Sequence, residues 1–270
     1  MAYSTNGDAD RNGKLGEQLV AEQISKNEDF ANRLDSTCDG PVEKLGGTQY
    51  VADLKFGKAN ISAKTKSSNS GTTDWTNTSI LGDSSAFDKV KAFTGKVRGT
   101  HADTLISRTD AKKTIISETK GKLNELTDQA LSKLSPSFIR SFVKGVYETR
   151  MCDLDIVFNM VLDDELLHFK GDEHPVGDFL KAKGEFFLEK FQKSSYQSRN
   201  IMFRDARGVA HRTGLRLRLV LNNGMGALLA GKKWSSNPTS VLTLKVQQED
   251  HKGLFSYLQG KNKLNKFDLQ

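Results

Sequence analysis

Cysteine is scarce in this chain. Cys38 and Cys152 are the only two in 270 residues and stand far apart, which excludes a thiolate zinc cluster and points to a reducing compartment. Long apolar runs are missing too. Nothing approaches the roughly 20 apolar residues of a membrane span, and the first residues, MAYSTNGDADRN, lack the apolar block of a signal peptide. The expected location is therefore the cytoplasm. No internal repeat is evident. His168 and His174 do not stand at a recognised ligand spacing and are expected to be surface histidines. Gly226 to Lys233 (GALLAGKK) imitates a phosphate-cradling loop, but Lys233 stands where Ser or Thr would hold Mg²⁺. The following Trp234 to Pro238 does not read as helical, so a nucleoside triphosphate site is rejected.

What the chain does contain is a soluble globular composition, 36% hydrophobic and 27% charged, enough for one large domain or two small ones. Residues 1–12 read as a flexible polar arm. From Lys14 the spacing of Leu15, Leu19, Val20 and Ile24 predicts a helix with Glu17 in its first turns. A Glu there is also what the helix dipole alone favours. Asp39-Gly40-Pro41 marks a turn. Further helices are predicted around Phe87, Val90 and Phe93, along Leu123 to Leu134, and from Phe138 to Val146 after the break at Ser135-Pro136.

Charge is unevenly spread. Residues 153–178 hold eight acids against one base, Lys170. Within them Leu154 to Leu162 reads as a buried strand entered by Asp153 and Asp155; these acids at i, i+2 are the rival candidate for a metal site, and an acidic strand entry is the commoner explanation of the pair. Lys181 to Lys233 has twelve Lys or Arg against three acids, an excess larger than the +7 of the whole chain. Such a concentrated basic face marks a polyanion binder. Ser194 to Arg212 is Arg-rich and without period. Leu215 to Leu221 alternates as a half-buried strand, Thr239 to Gln247 alternates likewise, and Lys252 to Gln270 reads as a frayed basic end. Arg199, Arg204, Arg207, Arg212, Arg216 and Arg218 are the candidate phosphate or guanine contacts.

The stretch with most chemistry runs from Gly47 to Ser79. Tyr50 to Phe56 and Ala59 to Lys64, separated by Gly57-Lys58, read as a β-hairpin. Strict alternation puts Val51, Asp53 and Lys55 on one face of the first strand. On the second strand Ile61, Ala63 and Thr65 share one face, and Ser62, Lys64 and Lys66 the other. Spacing alone does not bring Asp53 to Lys64. Their chemistry suits phosphodiester hydrolysis: a carboxylate for a divalent cation, and a Lys to orient or deprotonate water. Ser67 to Ser79 reads as a polar loop with Trp75 as a buried anchor and Asn77 as a candidate nucleic-acid contact.

Asp53, the turn, and Ile61-Ser62-Ala63-Lys64 resemble the core of the PD-(D/E)xK nuclease superfamily, particularly type II restriction endonucleases. In that superfamily a strand ends near a metal-binding Asp, and the next strand carries an acidic-x-Lys triplet. Ala52-Asp53 replaces Pro-Asp, and Ser62 replaces the second acid, so one metal oxygen is lost; some members tolerate a neutral residue there. The resemblance spans about the first third of the chain and implies a Mg²⁺-dependent DNA endonuclease. Asp53 would be the main metal ligand, Glu17 the supporting ligand from an N-terminal helix, and Lys64 the group that positions the water. It also implies double-stranded DNA as substrate and a homodimer on palindromic sites. The expected fold is α/β, a mixed central β-sheet flanked by helices, restriction-endonuclease-like, with a basic C-terminal region that includes a strand pair. Residues 13–165 would form the nuclease-like core, and 166–270 a DNA-contacting region of the same compact domain. The rivals are a junction-resolving or repair nicking nuclease of that fold, and a non-catalytic nucleic-acid-binding or virion-associated protein.

Overall fold

The computed structural model describes residues 7–34, 40–45, 52–57, 59–66, 73–78, 85–96, 110–150, 154–159, 165–191, 198–221, 242–249 and 251–268. The chain is mixed helix and sheet and divides into two compact units. One comprises Met1–Thr73, Lys144–Ala182 and Gln248–Gln270; the other comprises Asp74–Val143 and Lys183–Gln247. These boundaries differ from the expected 13–165 and 166–270. The reason is strand pairing between segments distant in sequence, which draws both ends of the chain into one unit.

The first unit is built on a six-stranded sheet. Its strands are β1 (Val42–Lys44), β2 (Leu54–Phe56), β3 (Ala59–Lys66), β5 (Leu154–Asn159), β6 (Glu165–Lys170) and β11 (Asn265–Asp268), adjacent in that order. All neighbours are antiparallel except β3 and β5, which run parallel. A parallel pair needs a long crossover, and the chain supplies one between residues 66 and 154.

Helix α1 (Gly7–Lys26) begins earlier than expected, so residues 7–12 of the supposed arm are helical. Acids at positions 8 and 10 suit a helix N-terminus. Its buried stripe is Val20, Ala21 and Ile24, whereas Leu15 is exposed. α1 packs on β3, and with α2 (Glu28–Leu34) it covers Leu54, Phe56, Ala59, Ile61, Ala63 and Leu166. The Asn27 side chain caps α2 through the Phe30 N–H at 3.1 Å.

The end of the chain is not a frayed tail. Helix α7 (His251–Gly260) buries Leu254 and Leu258 against Phe169, and β11 then pairs with β6. The histidines are also corrected from surface to core. His168 is buried with its ring edge-on to Phe30 at 5.9 Å. His174 Nδ1 accepts the Val176 N–H, which leaves Nε2 to donate to Gln248 Oε1 at 2.9 Å.

The second unit carries a five-stranded sheet ordered β4 (Thr73–Thr78), β10 (Leu242–Gln248), β9 (Ala210–Leu221), β8 (Ser198–Asp205), β7 (Gly184–Lys190). The expected strand pair is β9 and β10, side by side. Thr73 to Thr78, expected as loop, is strand β4; its β-branched threonines and Trp75 suit a pleated surface. The aperiodic Arg-rich stretch also holds a strand. In β8, Ser198 to Phe203 are all buried, and a strand covered on both faces loses its alternation. A register shift between Asn200 and Met202 is compensated by Thr213, whose hydroxyl donates to the Ile201 carbonyl at 2.5 Å.

Three helical segments in this part of the chain follow the expected stripes. A helix over residues 88–96 (α3) buries Val90. α4 (Asp110–Ser132) buries Leu123, Leu126, Ala130 and Leu131. α5 (Pro136–Arg150) buries Ile139, Phe142, Val143 and Val146. Ser135 Oγ accepts the Phe138 N–H at 3.2 Å, and Pro136 occupies the first helical position, where no amide hydrogen is needed. Residues 222–241, which include the loop imitating a phosphate cradle, lie outside the described residues.

Candidate active site

The site begins with a two-residue turn. Phe56 pairs with Ala59 across Gly57-Lys58, and Gly57 takes φ 56°, where a side chain is disfavoured. That short turn locks the register Leu54↔Ile61. Leu54 therefore shares the buried face with Ile61, and Asp53 falls on the opposite face with Ser62 and Lys64. No bulge is needed to bring Asp53 and Lys64 together; the register does it.

Asp53 sits just ahead of β2, where the strand departs from its neighbour. Its N–H donates to the Ile61 carbonyl at 2.9 Å, and its carbonyl accepts the Leu45 N–H at 3.0 Å. Its Oδ2 then accepts the Ala63 N–H at 2.8 Å, in place of a ladder carbonyl. The same oxygen accepts the Lys64 ammonium, also at 2.8 Å. Both side chains are about one-quarter exposed, 22% and 24%. Among the described residues no donor reaches Asp53 Oδ1, so one carboxylate oxygen is committed and the other is open.

Glu17 joins this pair electrostatically. It precedes Val20, Ala21 and Ile24 by three, four and seven residues and so heads the buried stripe of α1. Burial is the main cause pushing its carboxyl up, the Asp53 carboxylate adds to it, and Lys64, Lys44 and Lys14 oppose it. Glu17 is ten residues into α1, about 15 Å from its start, beyond the reach of the dipole at the first turn. Its position is explained by the packing of α1 on the sheet instead.

Ser62, where the resemblance would have an acid, is buried. Among the described residues no three His, Cys, Asp or Glu side chains come together to hold a metal. A divalent cation would thus find two carboxylates, Asp53 and Glu17, and Mg²⁺ is often held by one or two with waters completing its shell. Of the rival pair, Asp153 lies outside the described residues. Asp155 is in β5, the Cα partner of Ser62.

The other candidates belong to the second unit. Asn77 is in β4, not in a loop. Arg199 is corrected most sharply: its side chain is 3% exposed, ion-paired with Asp128 and donating to the Ser198 carbonyl. Arg204 pairs with Glu185 at 2.7 Å and lies over the Phe187 ring at 4.6 Å. Arg207 is exposed at the β8–β9 turn beside Asp205. Arg216 bonds Gln247 Oε1 and covers Phe191 at 4.7 Å. Arg212, Arg216 and Arg218 alternate along β9 with buried Thr213, Leu215, Leu217 and Leu219, so they share the more open face. Arg212 and Arg218 have no ion-pair partner among the described residues.

Sequence reading missed the turn residue Gly57 as a determinant of the site and Ala63 as a donor to it. The two-residue spacing between Phe56 and Ala59 was the available signal. Compared with protein-family models, curated proteins and solved structures, the chain has no match.

Proposed function

We propose that the chain is a Mg²⁺-dependent endonuclease acting on double-stranded DNA, with Asp53, Glu17 and Lys64 as its working groups. The observation that carries this reading is the Asp53–Lys64 contact across the hairpin. A carboxylate with one oxygen open to a cation is held against a Lys two residues beyond Ser62 on the next strand. The resemblance to type II restriction endonucleases asks for that arrangement, and Glu17, on the N-terminal helix packed on β3, is close enough to feel the charges of both residues.

Each residue has a distinct task. Asp53, fixed through its main chain and through Oδ2, offers Oδ1 to the cation. Glu17 supplies a second carboxylate whose ionised form is disfavoured by burial and by the Asp53 charge, and which a bound cation would favour. Lys64 holds a cation beside Asp53 and orients water for attack on the phosphate. Bound Mg²⁺ supplies Lewis-acid stabilisation of the charge that develops on the phosphate oxygens. Arg212 and Arg218, with the exposed Arg207, provide charge for the DNA backbone.

The test is incubation of pure protein with plasmid and genomic-size DNA, with Mg²⁺ and with chelator. Discrete Mg²⁺-dependent fragments that vanish in Asp53→Asn support the reading and its restriction-enzyme form. Fragments that persist in Asp53→Asn remove the site. DNA that is retarded on a gel but never cut favours a non-catalytic binding protein.

A further inference from the structure

We propose that the more open face of the five-stranded sheet binds single-stranded DNA, with two arginine–phenylalanine stacks as platforms for its bases. The inference rests on the functional reading above only for DNA as the polyanion; the Asp53 site takes no part in it.

Register and alternation assemble the face. Phe187, Met202 and Arg212 form one transverse row across β7, β8 and β9, and Glu189, Asn200 and Arg216 form the next. Glu185 and Arg204 are paired on one side of these rows, Ser198 and Arg218 on the other. Gln247 joins from β10 by accepting Arg216 Nε at 3.1 Å, so Lys245, two residues earlier, is on the same side. Helices meet the opposite face: Asp128 of α4 pairs with Arg199, and Arg140 of α5 lies over Phe186 at 5.7 Å.

Two arginines of this face are held over rings. Arg204 lies over Phe187 at 4.6 Å while its Nη1 donates to Glu185 Oε1 at 2.7 Å. Arg216 lies over Phe191 at 4.7 Å while its Nε and Nη2 both donate to Gln247 Oε1. Ring contact and hydrogen bond together fix each planar guanidinium before any ligand arrives. Guanidinium planes and aromatic rings are what unpaired bases stack on. Phe187 and Phe191 are about 13 Å apart along an extended chain, so the two stacks serve separate bases.

Charge and width select the partner. Among the described residues of this face, Arg204, Arg212, Arg216, Arg218 and Lys245 outnumber Glu185 and Glu189, which suits a phosphate backbone. From β7 to β10 the face spans four strands, about 14 Å between the outer backbones at about 4.8 Å per interval. The major groove of duplex DNA is about 12 Å wide and admits an α-helix or a two-stranded ribbon. A duplex therefore shows this face its phosphates and leaves both stacks unused. An unpaired strand offers phosphates and base faces together.

The test compares labelled oligothymidylate with its duplex on oligodeoxyadenylate, by fluorescence anisotropy on the full-length protein in chelator, where no strand is cut. The single strand is expected to bind more tightly. Phe187→Leu and Phe191→Leu should each weaken its binding by about 5–100-fold. The double variant Arg204→Lys/Arg216→Lys keeps the charge and loses the planes, and should lower the ratio of single-strand to duplex affinity by about tenfold. Each variant is checked for a cooperative melt, and the lysine variant, changed only at the surface, decides the matter if a Phe variant does not fold. Duplex bound as tightly as the single strand overturns the inference, as does an unchanged ratio in the lysine variant. Tighter binding of oligouridylate than of oligothymidylate overturns DNA as the occupant. Single-strand preference in a protein that cuts no DNA with Mg²⁺ keeps the inference and removes the nuclease reading; Mg²⁺-dependent cutting without that preference does the reverse.

Discussion

Lys64 reaches across the hairpin to Asp53, its ammonium 2.8 Å from the same Oδ2 that accepts the Ala63 N–H. One carboxylate oxygen thus ends the β2–β3 ladder and anchors the lysine. The two roles separate on substitution. Asp53→Ala leaves the Ala63 N–H without its acceptor and is expected to cost about 1–3 kcal/mol in denaturant unfolding. Asp53→Asn keeps an acceptor oxygen and should cost less, yet abolish cleavage as completely. Equal activity loss with unequal stability loss is the expected pattern; full activity in Asp53→Asn contradicts the proposed role.

Glu17 should be a liability to stability and an asset to activity. Its folded pKa is raised by burial and by Asp53. The sign follows: its folded form is favoured below the unfolded value and disfavoured once pH rises through the folded one. Glu17→Gln should therefore raise the melting temperature at pH 7, with the gain disappearing below about pH 4. Because the group is partly exposed, the gain should stay below about 1 kcal/mol. Cleavage should fall in the same variant. A lower melting temperature at pH 7 contradicts burial and the Asp53 charge as the balance acting on Glu17.

The β8–β9 turn predicts an opposite pH dependence. The Asp205 carboxyl is lowered to about 2, first by its hydrogen bond to His211, then by the Val209 and Arg207 amides, against some loss of hydration. A depressed acid contributes stability above its unfolded pKa of about 4 and loses it as pH falls through about 2. Amide exchange at Val209 and Arg207 should accelerate over that window and be fast at all pH in Asp205→Ala. Unchanged protection at Val209 in that variant rules out the carboxylate as what holds the turn.

The arginines of the second unit should divide into two kinds. Arg199→Ala removes a buried side chain and its half-buried ion pair with Asp128, whose carboxylate Lys190 also reaches, and is expected to destabilise by about 1–3 kcal/mol. A DNA effect beyond that instability is not expected. Arg212→Ala and Arg218→Ala should leave stability nearly unchanged and each reduce the salt-dependence slope of DNA binding by about 1. A slope unaltered in both variants removes the β9 face as a phosphate contact.

Local signals in the sequence were enough for several elements. The stripes Leu123 to Leu134 and Phe138 to Val146 are helices, because repeated apolar spacing reports directly which side is buried. Gly57, between two short apolar runs, is at a turn, and clean alternation from Leu215 to Leu221 is a strand. Asp53 and Lys64 could be named as a chemical pair, but not joined, since their facing depends on which residues pair across the turn. The strand β8 was hidden by burial on both faces, which erases alternation. Arg199 was misjudged because its pairing with Asp128 links residues 71 positions apart. His168 and His174 were placed outside because their partners, Phe30 and Gln248, come from distant segments.

By itself, then, the sequence determined the periodic helices, the hairpin turn and the supply of an Asp, a Glu and a Lys suited to a cation and a phosphate. Only the tertiary structure decided that Lys64 reaches Asp53, that Ser62 stands opposite Asp155, and that Arg199 turns inward. The physical reason is range: propensity and periodicity act over a few residues, whereas register and parallel pairing are settled by the burial of segments that the chain keeps far apart.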